Sequence, residues 1–312
     1  MTVPTDPAPG PVIVAGGINT DLVARVAKAP DAGETVTGSS FAMFGGGKGA
    51  NQAIAAARSG ARTAMFGALG DDDFGRQRRA DLDGEGIDTE SVARSSTAAS
   101  GVALIVVEEK TGQNRISYVP GATMTLTPEQ ARATVDRVRP VVVLTTLEPP
   151  PETLDALLDA SKELGANIVL NATPEAIGAK PFLDRIDALV VNETEAEDLL
   201  GQTVSATNGE EVAQSLAELG PRTVVVTLGA AGAAVAHGGQ TASFSAPRVG
   251  VVDTTGAGDA FCGAFAADLA RGVDPFVAAR TGVIAGSLAT TVPGAYPGIP
   301  HRDAIERMLS KA

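Results

Sequence analysis

The chain has 312 residues, 44% of them hydrophobic, and a formal net charge of −13. That is enough apolar material for one large domain or two smaller ones, and the acidity argues against nucleic acid and anionic membranes as partners. A single cysteine, Cys262, excludes an internal disulfide and fits a reducing cytoplasm, and no apolar run approaches the roughly 20 residues that span a bilayer.

In chain order, residues 1–11 (MTVPTDPAPGP) are proline-rich, with neither a basic start nor a long apolar run, and read as a disordered tail rather than a signal peptide. VIVAG (12–16) predicts a buried first strand. Asn19 and Asp21 follow just past it, where open α/β sheets place ligands; a turn or helix cap is the competing local reading. Residues 34–44 are β-rich and partly polar, and GGGKGANQAIAAARSGA then predicts a glycine loop feeding an alanine-rich helix. In that helix Asn51 either caps the start or binds a ligand hydroxyl. The loop is no P-loop, because Ala42 stands where the first glycine belongs and Gly49 replaces the Ser/Thr. It does match GxGxxA through Gly45, Gly47 and Ala50, with Asp71 about twenty residues later, which is a weak dinucleotide fingerprint.

Residues 63–75 predict a strand, a turn and a helix start. Two strand-like runs over 102–122 meet at Lys110-Thr111-Gly112, a hairpin signal; with 34–44 they predict a small separate sheet. Beyond Pro128, helices (129–138, 152–164) alternate with strands (141–148, 167–173, and one ending at Asn192). Such alternation predicts a parallel sheet covered on both faces. Glu148, Asn171, Asn192, Glu193 and Glu195 fall at or just after strand carboxyl ends, on one rim. Residues 223–235 predict a strand, a turn at Gly229 and Gly232, and a second strand. Helices near 275–290 and from about 302 close the chain.

DTTGAGDAFCGAF (253–265) opens as a turn and runs into an apolar helix beginning near Ala257 or Gly258. A helix start has unpaired N–H groups and partial positive charge, and so binds phosphate. Gly256 and Gly258 let an anion approach the backbone closely. Asp259 is either the dipole-matched acid of an ordinary helix start or a base for an attacking hydroxyl. Two glycine-rich helix starts with acids and amides between them can hold a phosphate donor and a hydroxylated acceptor. Phosphoryl transfer needs little beyond such positioning and charge neutralisation.

GGGKGANQAIAAARSGA with GALGDDDFG, and DTTGAGDAFCGA, resemble the two signatures of the PfkB family of sugar kinases, in its ribokinase-like branch. The resemblance runs from Val12 to the terminal helix. It implies an α/β fold: a three-layer sandwich (12–312) with a mostly parallel central sheet and a small β lid from about 34–44 and 102–120. It implies ATP-dependent transfer of the γ-phosphate to a hydroxymethyl group, D-ribose to D-ribose 5-phosphate first among the candidates. Nucleoside, deoxyribose and ketose acceptors stay open, and a nicotinamide (NAD) oxidoreductase or a non-catalytic sugar sensor are remote alternatives.

Carried over by the resemblance, Asp259 is the base and Gly256, Ala257 and Gly258 form the anion hole. Asn19, Asp21, Gly47, Lys48, Asn51 and Glu148 bind sugar hydroxyls. Asn192 and Glu195 organise phosphate and Mg²⁺, while Thr227, Gly229 and Gly232 form the nucleotide turn. Asp253 and the carbonyls of Thr255, Ala289, Val292 and Gly294 match the ligands of a monovalent cation, K⁺, but Gly298 stands where serine is usual. No arginine or lysine stands near Asn19–Asp21 in the chain, which disfavours a phosphorylated acceptor. The resemblance also implies a homodimer joined through the lid.

Overall fold

The structure, a computed structural model, describes residues 10–311. Residues 1–9 of the expected tail, and residue 312, lie outside the described residues, and Pro11 already opens the first strand. The first half runs β1 (Pro11–Ala15), β2 (Asn19–Val26), β3 (Gly38–Gly46), α1 (Lys48–Arg58), β4 (Arg62–Gly70), α2 (Asp73–Gly84), β5 (Val92–Ser95), β6 (Gly101–Glu108) and β7 (Asn114–Val119). Next come α3 (Pro128–Val138), β8 (Val142–Thr145), α4 (Pro151–Glu163), β9 (Asn167–Asn171), β10 (Ala188–Asn192), α5 (Glu193–Leu200) and α6 (Gly209–Ala217). The last part is β11 (Thr223–Thr227), β12 (Ala233–His237), β13 (Gln240–Phe244), α7 (Ala257–Leu269), α8 (Pro275–Ala289), α9 (Ala295–Gly298) and α10 (Arg302–Leu309).

Nine strands form the main sheet in the order β13-β12-β11-β10-β9-β8-β1-β4-β5. All neighbours are parallel except the two pairs made by β12. Each central strand buries both faces, which is why its sequence is apolar throughout rather than alternating. Ile13, Val143, Ile168 and Leu189 pack with Leu154, Leu157, Ala131 and Val212 of α3, α4 and α6. Val12, Val14, Met65 and Leu144 pack with Ile54, Phe261, Phe265 and Ile284 of α1, α7 and α8. The result is the expected three layers. Among the described residues no helix is long and apolar enough to cross a membrane.

The small sheet has four strands, ordered β3-β2-β6-β7. One of its two inner strands, β2, was not visible in the sequence. Asn19 and Asp21 lie in that strand and not in a turn or cap, which corrects the local reading. NTDLVARV has a mixed pattern, and the strand is held by partners distant in sequence: Asn19 pairs with Gly46 on one side and Gly101 on the other. Asn51 is likewise not a cap. Helix α1 begins at Lys48 with Gly47 as its N-cap, so Asn51 sits in the helix body and is free to point inward.

Candidate active site

Helix α7 starts at Ala257 with Gly256, at φ 78°, as its N-cap, and no side chain caps it. The Ala257 amide is turned back onto the Thr254 carbonyl (3.2 Å), so it is not free for an anion. The Gly256 and Gly258 amides make no hydrogen bond among the described residues. The cradle expected from three residues therefore rests on the flanking two. Gly258 has open space where a side chain would begin.

Two cavities meet at this point. One, of about 570 Å³, is lined by Thr227, Gly229, Gly232, Arg248, Thr254, Ala257, Gly258 and Ser287 among others. The second, of about 250 Å³, is lined by Lys48, Asn171, Asn192, Glu195, Thr227, Thr254, Gly256, Gly258 and Asp259 among others. Thr227, Thr254 and Gly258 belong to both. The larger has mostly apolar walls and the volume of a small-molecule site.

Asp259 is buried at the junction. Asn51 Nδ2 donates to its Oδ2 at 2.8 Å and Gln52 Nε2 to its Oδ1 at 3.0 Å. Gln52 Nε2 also reaches Asn171 Oδ1, at 2.9 Å. Burial pushes the Asp259 carboxyl above its ordinary range, and the Lys48 charge and the two amides offset this only in part. The carbonyl oxygens of Asn51 and Gln52 are buried without a partner, as is Asn19 Oδ1. Unsatisfied buried acceptors are rare and costly, and they suit incoming hydroxyl donors.

Glu148 lines neither cavity but lies close enough to Lys48 and Asp259 to feel their charge. Its Oε2 accepts from the Gly17 amide at 2.7 Å, the Gly49 amide at 3.3 Å and Thr146 Oγ1 at 3.0 Å. Burial raises this carboxyl too. Asp21 is pushed up to about 6 by burial, against the charge of Arg78 and with that of Asp259. The fold thus brings a cation to the Asn19–Asp21 stretch that the local sequence lacks. Arg78, buried on α2, reaches Thr20 Oγ1 at 3.4 Å but is ion-paired to Asp81 at 2.9 Å, so its charge is already matched.

Asn192 and Glu195 form a reciprocal cap on α5. Asn192 Oδ1 accepts from the Glu195 amide at 2.8 Å, and Glu195 Oε2 from the Asn192 amide at 2.9 Å. Their side chains are therefore oriented by the helix they start, at the rim of the smaller cavity. Burial raises the Glu195 carboxyl, the Asn192 amide and the Lys48 charge opposing. No group of three or more metal-ligating side chains occurs among the described residues. A phosphate-bridging Mg²⁺ keeps several waters and needs only one or two carboxylates, so this rim fits it.

The expected K⁺ ligands already bond within the chain. Both oxygens of Asp253 are engaged, Oδ1 by the Thr255 amide (2.9 Å) and hydroxyl (2.7 Å), Oδ2 by the Gly294 amide (2.8 Å). Burial acts to raise this carboxyl, but these bonds prevail and hold it below the ordinary range. The Gly294 carbonyl accepts from Gly298 N–H at 3.2 Å. A Cβ on Gly298 would lie 2.6 Å from the Ala289 carbonyl oxygen and 3.3 Å from that of Val292. Glycine lets α9 close onto those carbonyls, where a serine side chain has no room.

The dinucleotide pattern fails as well. The Cβ side of Gly47 is packed against chain: a Cβ would stand 2.5 Å from the Gly17 carbonyl oxygen and 2.8 Å from the Asn19 nitrogen. Asp71 is a surface residue paired with Arg94 and Arg76. Sequence reasoning also missed Gln52 and Gly17. Only Gln52, adjoining Asn51 in a helix of alanines, left a signal there.

A helix start open to a nucleotide-sized cavity, beside a polar pocket with a buried acid at the junction, defines a phosphotransferase that acts on an alcohol group. The chain belongs to the pfkB family of carbohydrate kinases, whose family model matches residues 11–302. It is 37% identical over 300 residues to a ribokinase of Bacillus subtilis, covering 96% of this chain and 99% of that one. It is 32% identical over 302 residues to a deoxyribokinase of Salmonella typhi, covering 96% and 98%. The structure of Arabidopsis thaliana ribokinase complexed with ribose and ATP matches with a TM-score of 0.85 at 31% identity, covering 97% and 99%.

Proposed function

We propose that this chain transfers the γ-phosphate of ATP to the hydroxymethyl group of D-ribose, giving D-ribose 5-phosphate. The observation that carries the reading is Asp259, held by two amide donors beside the open amide of Gly258. Asp259 accepts the proton of the attacking hydroxyl, and its raised affinity for protons favours that task. General bases of this kind contribute about 10²–10⁴-fold. The Gly256 and Gly258 amides stabilise the charge on the migrating group, where one such donor is worth about 3 kcal/mol.

Asn19, Asp21, Asn51 and Glu148 hold the sugar hydroxyls, with Lys48 and the backbone at Gly47 on the same side. Thr227, Gly229 and Gly232 shape the wall against the nucleotide. Asn192 and Glu195 would hold Mg²⁺ through water, and when bound the ion supplies charge neutralisation between the phosphates. A monovalent cation is left out of this reading, since α9 closes at Gly298 onto the Ala289 and Val292 carbonyls. A cytoplasmic enzyme fits the single buried cysteine. A homodimer through the lid is supported by Phe41, Met43, Leu104 and Val119. These four share the lid face turned away from the site and are 63%, 50%, 49% and 50% exposed.

Deoxyribose is the second reading, favoured by the 32% identity to a deoxyribokinase. A panel of ribose, 2-deoxyribose, fructose and adenosine, with ADP release as readout, tests both. Ribose is expected to give the highest kcat/KM. A higher value for 2-deoxyribose moves the acceptor, and ADP release indifferent to every sugar overturns the kinase reading.

A further inference from the structure

The lid face over the pocket is built in rows set by strand register. One row runs Gly46, Asn19, Gly101; the next runs Phe44, Asp21, Ala103, Tyr118. Directly paired residues point to one face, so Tyr118 shares the face of Asp21 and Asn19. Between the tyrosine on β7 and these residues on β2 stand only glycine and alanine on β6. A Cβ on Gly101 would collide with Asn19 Oδ1. This strip of missing side chains leaves room for the Tyr118 ring to lie across the sheet toward the pocket.

The phenol accordingly sits beside the Asn19 amide and the Glu148 carboxylate, although its residue is 40% exposed overall. Burial, and the Glu148 charge after it, push the phenol well above its ordinary range, so the hydroxyl keeps its proton and remains a donor. Glu148 is an acceptor, and Asn19 Oδ1 is a buried acceptor without a partner. At this corner of the pocket the Tyr118 hydroxyl faces an amide donor of Asn19 and the Glu148 carboxylate, so it can pair with a sugar hydroxyl in either sense.

We propose that Tyr118 is a specificity-determining residue: from the lid, its phenol O–H reads one sugar hydroxyl in the corner formed with Asn19 and Glu148. The inference rests on the sugar-kinase reading above. It makes the lid a reader of the substrate's hydroxyl pattern as well as a cover. A site built to hydrogen-bond a hydroxyl discriminates strongly against the analogue that lacks it.

The test is a cycle between Tyr118→Phe and the sugar, in the full chain. The parent and Y118F are assayed for sugar-dependent ADP release with ribose, 2-deoxyribose and 3-deoxyribose. Y118F is expected to lower kcat/KM for ribose about 5- to 30-fold, mostly through KM, with KM for ATP unchanged. For the one deoxy sugar that lacks the hydroxyl read by Tyr118, the substitution is expected to change kcat/KM less than twofold. An equal loss on all three sugars marks a lid defect and overturns the proposal, as does no loss on any. If no sugar stimulates ADP release by the parent, the failure lies with the kinase reading and shows before the variant is made.

Discussion

The two glycine-rich helix starts look alike in sequence and differ in what their glycines are for. At α1, Gly47 has φ 93°, and Gly47 and Gly49 lie against the backbone of residues 16–19, with Cβ positions 2.5 Å from Gly17 O and from the Gly16 carbonyl carbon. Those glycines exist so that chain can touch chain. At α7, Gly258 has nothing within 4 Å of its Cβ position and an ordinary φ. Its missing side chain leaves room for a ligand. The first loop thereby places Asn51 and Gln52 rigidly, and the second keeps an opening. A glycine-rich motif alone does not say which purpose it serves.

The sharpest break of this comparison is at the acid that both starts share. Asp259→Asn is expected to lower kcat by about 10²–10⁴-fold with ATP binding by calorimetry intact. The same variant should melt higher than the parent at neutral pH. With a raised pKa the folded state holds the Asp259 proton more tightly than the unfolded one does. Parent stability therefore falls as pH rises from the ordinary aspartate value, near 3.8, through the folded value, and the melting difference should close as pH drops toward 4. A variant that keeps more than a hundredth of parental activity breaks the assignment.

Paired alanine substitutions test the glycines directly. Gly258→Ala is expected to lose about 10- to 100-fold in kcat with Tm unchanged, because its methyl enters only ligand space. Gly47→Ala should lower Tm by at least about 3 °C, since it forces a left-handed residue against backbone. The reverse pattern would erase the distinction. A subtler effect concerns Asp21, which on the proposed reading accepts from the sugar most strongly when ionised. KM for the sugar should rise about tenfold per pH unit below about 6, with KM for ATP flat. The smallest expected effect is that of salt: replacing K⁺ by Na⁺ or tetramethylammonium should change kcat less than twofold, and a tenfold activation by K⁺ would refute the closed α9 geometry.

The strand-helix alternation after Pro128 and the α7 start were legible because each depends on neighbouring residues: apolar runs, a glycine turn, an acid in a first turn. Strand β2 was not, because its register comes from Gly46 and Gly101, and NTDLVARV contains no signal for either. The same limit hid the clamp on Asp259, whose donors lie more than 200 residues earlier. Arg78 escaped because a cation behind Thr20 is a property of how α2 packs. Motif spacing singled out the candidate groups, and only the fold showed which of them already bond within the chain, as Ala257, Asp253 and Gly294 do.

Tyr296 is wedged against Gly45, and its hydroxyl donates to the Gly46 carbonyl at 3.3 Å, where β3 leaves the lid. Two residues earlier, the Gly294 amide holds Asp253. Arg58 grips the carbonyls of Tyr296 and Ile299 at 2.7 Å each and so fastens the segment to α1. This short strap ties the end of β3 to the loop that leads into α7. A motion of the cover at Gly46 would therefore pull on the segment that holds Asp253.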